Sequence, residues 1–215
     1  RLADHLFRRQ HDRRTAEGRG ARTAGAVAEG NLVGVAADIA HLVRLQPQPV
    51  AHDLLVDRLM ALALIDLGVA PGDVVSLQLP NWWQFSAMHL ACARIGAITN
   101  PLMPIFRERE LRYMLGFAES KVVIAPHGFR GFAYKPMIEA IRADLPKLAH
   151  AFYIDGEGAD DFATALLSEP REQRADADAV LAALRPGPND VNEVIYTSGT
   201  TGQPKGVMHT ANSTF

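Results

Sequence analysis

The sequence has a single cysteine, only four lysines, and no unbroken apolar run of membrane-spanning length. A lone Cys92 excludes an internal disulfide framework and any zinc site built on several cysteines. Without an apolar run of roughly 18 residues there is no membrane-spanning helix. An excess of positive charge is missing as well. The formal net charge is -2, so no global basic field is available to hold a nucleic acid. The shortage of lysine is offset by 18 arginines. Together with the many alanines, that looks like codon bias from a GC-rich genome, so an arginine is not by itself evidence of a ligand clamp. What is present is enough apolar material to fold: 48% hydrophobic against 21% charged residues marks a chain that buries a core. Its 215 residues suit one ordinary domain or one large subdomain. The first residue, Arg1, is expected not to be a natural start.

The first 50 residues differ from the rest. They carry seven arginines before residue 23, one aromatic (Phe7), and neither serine nor lysine. Gly18, Gly20, Gly25 and Gly30 interrupt any long helix. A mitochondrial-type presequence is rich in arginine but also in serine, and poor in acids. Here Asp4, Asp12 and Glu17 intervene, so residues 1–50 read as a divergent or poorly ordered leader. Residues 46–50 (QPQPV) have the composition of a linker.

From about residue 53 helical and strand patterns alternate. Leu55, Leu59, Leu62 and Ile65 predict a helix over 54–67, closed by Gly68 and a Pro71-Gly72 turn. Residues 73–79 (DVVSLQL) predict a buried strand. Asn81 is the expected N-cap of the next helix, which places Phe85, Met88, Cys92 and Ile95 on one face before Gly96. A short strand (AIT) follows. A helix is expected over 107–118, with Arg107, Glu108, Arg109 and Glu110 as an exposed face opposite Leu111 and Leu115. Glu108 and Arg112 are placed to pair across one turn. Strands are expected at 121–125, 151–154 and 191–197, and helices at 133–143 and 176–184. Short, continuously apolar strands between helices predict an α/β fold with a largely parallel sheet and flanking helices.

One stretch stands apart, YTSGTTGQPKGVMHT at residues 196–210. An apolar strand runs into Thr197, Ser198, Gly199, Thr200, Thr201 and Gly202, then Gln203, Pro204, Lys205 and Gly206, with a second strand expected from Val207. The glycines allow main-chain N–H groups to turn inward, the hydroxyls add short donors, and Lys205 adds a point charge suited to phosphate. Together they predict an anion-binding concavity. The spacing is not that of a Walker loop, in which the lysine enters a helix. The plainer alternative is a hydroxyl-rich turn with no ligand, but hairpin turns rarely spend so many residues.

TSGTTGQPKG resembles the signature loop of the adenylate-forming superfamily: acyl-CoA synthetases, adenylation domains of peptide synthetases, and luciferases. Residues 67–115 are similar to the matching stretch of these enzymes, most of all to medium-chain and cyclohexanecarboxylate-type acyl-CoA ligases. The resemblance covers about residues 54–215 and not 1–50, so 51–215 is expected to be a partial N-terminal AMP-binding domain. It implies a two-step reaction. A carboxylate attacks the α-phosphorus of ATP to give an acyl-adenylate and pyrophosphate, and the thiol of CoA then displaces AMP. It also implies that Thr197, Ser198, Gly199, Thr200, Thr201, Gly202 and Lys205 hold the β- and γ-phosphates, and that Thr197 touches Mg²⁺. None of these is an acid or base, so no catalytic residue is assigned.

The resemblance places the adenine pocket, an acidic Mg²⁺ ligand, a ribose-binding Asp, a late lysine and most of the acyl pocket beyond Phe215. The sheet is therefore expected to be incomplete, and the 215-residue chain is expected not to form acyl-adenylate by itself. Where the family commonly has a histidine just past this strand, Ala211 stands. The expected partners are a carboxylic acid, ATP and CoA in the cytoplasm, with no nucleic acid and no membrane span. Two other readings stay open: an adenylating enzyme that loads a carrier-protein thiol, and a non-catalytic remnant that binds phosphate or another protein. Weaker signals read as structure. Trp82 and Trp83 are expected to pack, Cys92 to sit in the core, His209 to line a core or pocket wall, and residues 155–161 to form a solvated acidic loop.

Overall fold

Short apolar strands that are buried on both faces favour parallel pairing, because helices must then cover both sides of the sheet. The computed structural model, which describes residues 50–197 and 204–214, shows this arrangement. Strands β1 (Val74–Leu77), β2 (Ile98–Pro101), β3 (Val122–Pro126), β6 (His150–Ile154), β7 (Val191–Thr197) and β8 (Lys205–Thr210) form one sheet in the order β6-β3-β1-β2-β7-β8. The first five run parallel and β8 returns antiparallel at the edge. The α/β fold with a largely parallel sheet is thus the one expected. A separate two-stranded ribbon, β4 (Gly128–Phe129) with β5 (Phe132–Ala133), was not anticipated. Its two turn residues, Arg130 and Gly131, both have positive φ (51° and 76°), as a tight hairpin turn of this kind requires.

The helices are α1 (Val50–Asp66), α2 (Trp83–Arg94), α3 (Glu108–Phe117), α4 (Tyr134–Arg142), α5 (Phe162–Leu167), α6 (Ala177–Ala183) and α7 (Ala211–Thr214). Alternation along the strands sends Val75, Leu77, Val122, Ile124, Phe152 and Ile154 to one face. There they pack with Met60 and Leu64 of α1, Met88 and Cys92 of α2, and Phe162 and Leu166 of α5. Val123, Ala125, Ala151 and Tyr153 go to the other face, against Leu111, Met114 and Leu115 of α3 and Ile138 and Ile141 of α4. A third cluster joins Val74, Ile98 and Val194 to Phe117 and Ala118 at the end of α3. Gly96 ends α2 at φ 68°. A Cβ there would lie 3.3 Å from that of Pro71, so the return into β2 needs glycine.

Several local expectations are corrected. Trp82, not Asn81, is the N-cap of α2, and it makes no side-chain cap bond. Its indole instead meets Phe129 edge-on at 5.5 Å, so packing stands where a cap was expected. The row Arg107–Glu110 is not a uniform exposed face. Glu108 and Arg109 are exposed, but Arg107 lies over the Phe132 ring at 3.9 Å, and its N–H donates to Glu110 Oε2 at 3.1 Å. Arg112 pairs with Asp144 rather than with Glu108, because α4 and the turn after it pack alongside. The acidic stretch 155–161 is only partly a free loop. Asp160 pairs with Lys135 at 2.6 Å, and Asp161 accepts from the Thr164 N–H at 2.8 Å to cap α5, a helix the sequence pattern did not reveal.

Candidate functional site

All five parallel strands end on one edge of the sheet, and in open α/β sheets ligands sit beyond that edge. Strand β7 delivers Thr197 to it. Strand β8 begins at Lys205, two residues before the expected Val207, so Lys205 and Gly206 belong to a strand and not to the loop. The reason is the register, in which Tyr196 pairs with Gly206 and Thr197 with Lys205. Directly opposed residues of an antiparallel pair point to the same face. Thr197 and Lys205 therefore project from the same face of the hairpin, and both residues are exposed.

Among the described residues, neither side chain has a close polar partner elsewhere. The Thr197 hydroxyl reaches the Lys205 carbonyl only at 3.5 Å, the outer limit of a hydrogen bond. No carboxylate among the described residues pairs with Lys205. Ser198, Gly199, Thr200, Thr201 and Gly202, the other expected phosphate-binding residues, lie outside the described residues. Ala211 opens α7 directly after β8.

The hairpin is held by packing that the sequence reading missed. Val194 is fully buried, and a Cβ on Gly206 would stand 3.1 Å from its Cγ1. Any larger residue at 206 would press on the Val194 side chain. On the same face, Tyr113 and Phe117 of α3 stack at 5.6 Å, and both meet the Tyr196 ring at 6.4 Å. The Tyr196 hydroxyl donates to the Met114 carbonyl at 2.9 Å, and that of Tyr113 donates to the Pro204 carbonyl at 3.1 Å. Burial pushes the Tyr196 phenol up from its ordinary pKa, with Tyr113 adding to the shift, so it stays a donor at neutral pH. The spacing of Tyr113 and Phe117, four apart on a helix, was the available signal.

A row of buried polar residues lies within the sheet. Asn100 Nδ2 donates to Ser76 Oγ at 2.8 Å, and Ser76 Oγ lies 2.6 Å from Ser120 Oγ. Gln78 Nε2 donates to the Met103 and Phe106 carbonyls at 3.3 and 3.0 Å. Isolated polar residues inside apolar strands mark this row in the sequence. Elsewhere, Cys92 is buried as expected, and burial pushes its thiol up to about 12 against a smaller lowering by a bond from Thr99. That excludes a nucleophilic role at neutral pH. Trp82 packs on the core, but Trp83 is 56% exposed, contrary to expectation. His209 is half-buried opposite Glu193. Among the described residues there is no cluster of three metal-ligating side chains, and no helix is long and apolar enough to cross a membrane. A groove of about 420 Å³ lies at the opposite edge of the sheet, bordered by Pro71, Gly96, Arg185 and Asp190.

An exposed lysine on the same face as an exposed hydroxyl can hold an anion rich in oxygen; it cannot by itself transfer a proton. The chain has relatives among known proteins. It is 35% identical over 147 residues to the medium-chain fatty-acid–CoA ligase of Escherichia coli K12, covering 68% of this chain and 25% of that protein. It is 34% identical over 150 residues to the salicyl-AMP ligase / salicyl-S-ArCP synthetase of Mycobacterium tuberculosis, covering 70% of this chain and 25% of that protein. The structure of a fatty acyl CoA synthetase from M. tuberculosis superimposes with a TM-score of 0.60 at 28% identity, covering 75% of this chain and 28% of the other. The chain thus spans about a quarter of the length of these relatives. The model of the AMP-binding enzyme family matches residues 54–215, and the chain belongs to that family.

Proposed function

We propose that the chain supplies the phosphate-binding N-terminal part of an ATP-dependent acid–thiol ligase. The observation that carries this is the shared face of Thr197 and Lys205 at the C-terminal edge of the sheet, inside the family match. In the proposed reaction a carboxylate attacks the α-phosphorus of ATP and pyrophosphate leaves. Charge grows on the leaving phosphates, so a fixed cation beside them stabilises the transition state. Lys205 is that cation. Ser198, Gly199, Thr200, Thr201 and Gly202 complete the cradle with main-chain N–H groups and hydroxyls, and Thr197 offers a neutral oxygen to the Mg²⁺ that the phosphates carry. The exposure of Thr197 and Lys205 on one face fits this use. CoA is the proposed acceptor. The acid is medium-chain or alicyclic, a reading supported by residues 67–115 and by the E. coli relative. We place the protein in the cytoplasm, with residues 1–50 as a leader and 51–215 as the partial AMP-binding domain.

The test is carboxylate-dependent exchange of pyrophosphate into ATP across a panel of acids. The whole product of the encoding gene is expected to catalyse it, and the isolated 215 residues are not. Exchange by the isolated chain would contradict the division of labour. Absence of exchange with every acid in the whole product would contradict the ligase. A second reading, transfer to a carrier-protein thiol, is favoured by the salicyl-S-ArCP synthetase relative. Product carried on a carrier protein in preference to CoA would select it.

A further inference from the structure

Two phenols tie the loop end of the β7–β8 hairpin to a single turn of α3, and they do so in opposite directions. Tyr196, one residue before Thr197, donates to the Met114 carbonyl at 2.9 Å. Tyr113, on α3, donates to the Pro204 carbonyl at 3.1 Å, one residue before Lys205. Both limbs of the hairpin are therefore positioned against residues 113–114. The rings that carry these hydroxyls are themselves held together with Phe117, which stacks on Tyr113 and meets Tyr196 edge-on. Pro204 has no N–H, so its carbonyl is its one main-chain hydrogen-bonding group, and Tyr113 engages it. Tyr196, Val194 and the Tyr113 ring lie on the α3 face. Alternation along the strand puts Thr197, and Lys205 opposite it, on the other face. A lysine stem is flexible, so where its ammonium can dwell is governed mainly by where its Cα is held.

We propose that Tyr113 is a positioning residue for Lys205: by holding the Pro204 carbonyl it fixes the main chain from which the ammonium projects, and so sets the affinity for a phosphate chain. This rests on the phosphate reading of the Thr197–Lys205 face given above. A hydroxyl that merely satisfied a buried carbonyl would change stability and leave affinity alone. The two roles are therefore separable.

The experiment uses the full 215-residue chain and its Tyr113→Phe, Lys205→Ala and double variants, each titrated with inorganic tripolyphosphate in the presence of Mg²⁺. Phenylalanine keeps the ring and its stacking and removes only the hydroxyl. Lys205→Ala is expected to weaken binding about tenfold and Tyr113→Phe about fivefold, the sizes of a lost charge-assisted and a lost neutral hydrogen bond. The double variant is expected to bind no more weakly than Lys205→Ala alone, because Tyr113 acts through the lysine. Amide exchange on the same samples reads the tether without ligand. Lys205 and Gly206 should exchange faster in Tyr113→Phe, while Val74–Leu77 stay as protected as in the parent, which also shows that the variant is folded. Parent-like affinity of Tyr113→Phe beside an impaired Lys205→Ala would overturn the positioning role and leave the phosphate reading standing. So would fully additive losses, or unchanged exchange at Lys205. A parent chain that binds no tripolyphosphate, or a Lys205→Ala variant that binds as the parent does, would overturn the phosphate reading and this proposal with it.

Discussion

The four strands β6-β3-β1-β2 and the β7–β8 hairpin are built differently. Every residue of β1 and β3 is buried, and both faces of β6-β3-β1-β2 are covered by helices. In β7 only Val194 is buried, and in β8 only Gly206. Strand β7 joins β2 through a single registered pair, Thr99 with Glu193. The hairpin relies instead on specific devices: a glycine packed against the Val194 side chain, two phenol hydrogen bonds, and three rings in mutual contact. Hydrophobic burial scales with area and sets global stability, whereas a few directed bonds set the position of a few atoms. The comparison teaches that stability and phosphate recognition reside in different parts of this molecule and can be perturbed separately.

The strongest way to break that separation is from the core side. Leu77→Ala, at a fully buried position between α1 and α2, is expected to cost about 2–5 kcal/mol in denaturant unfolding. At temperatures where the variant remains folded, its tripolyphosphate affinity should match the parent. A large drop in affinity at full folding would show that core and hairpin are coupled.

The hairpin side gives the converse. Gly206→Ala puts a Cβ 3.1 Å from Val194 Cγ1, an overpacking expected to cost about 1–3 kcal/mol. Because the strain falls at the Tyr196–Gly206 pair, Lys205 moves with it. Affinity should fall together with stability, as calorimetric titration and melting of the same variant would show. Loss of stability alone would mean that the neighbour yields without disturbing the lysine.

A smaller effect sharpens the core half through pH. Burial holds the Cys92 thiol up at about 12, whereas an unfolded thiol ionises near about 8.5. Between these values the unfolded chain releases a proton that the folded chain keeps. The thiol's contribution is fully present below about 8.5 and is lost as pH rises toward 12, by at most about 1.4 kcal/mol per pH unit. Cys92→Ala should remove this slope, measured as the difference between the two proteins in urea unfolding from pH 8 upward. An identical slope in both would place its origin elsewhere.

The fold was legible because its period is legible. Continuous apolar strands such as 121–125 can only be buried ones, and β7 was bounded at 191–197 as observed. Helix α5 and the β4–β5 ribbon escaped because each is only a few residues long and is specified by local geometry, the Asp161 cap and the Arg130-Gly131 turn. At the site, Thr197 and Lys205 were found through the chemistry of their residue types. That they share a face follows from the Thr197–Lys205 register, which depends on how far two strands zip. The bracket on α3 was missed for a similar reason. Tyr113 looks like one more amphipathic-helix residue until residue 204, 91 positions later in the chain, is laid against it.

The most direct test of the central claim is to follow backbone amide signals of the 215-residue chain while inorganic tripolyphosphate and Mg²⁺ are added. The account predicts saturable shifts centred on Thr197, Lys205 and Gly206, little change in β1 and β3, and loss of the response in Lys205→Ala. Shifts centred instead on the groove beside Arg185 at the opposite edge, or no saturable shift at all, would contradict it.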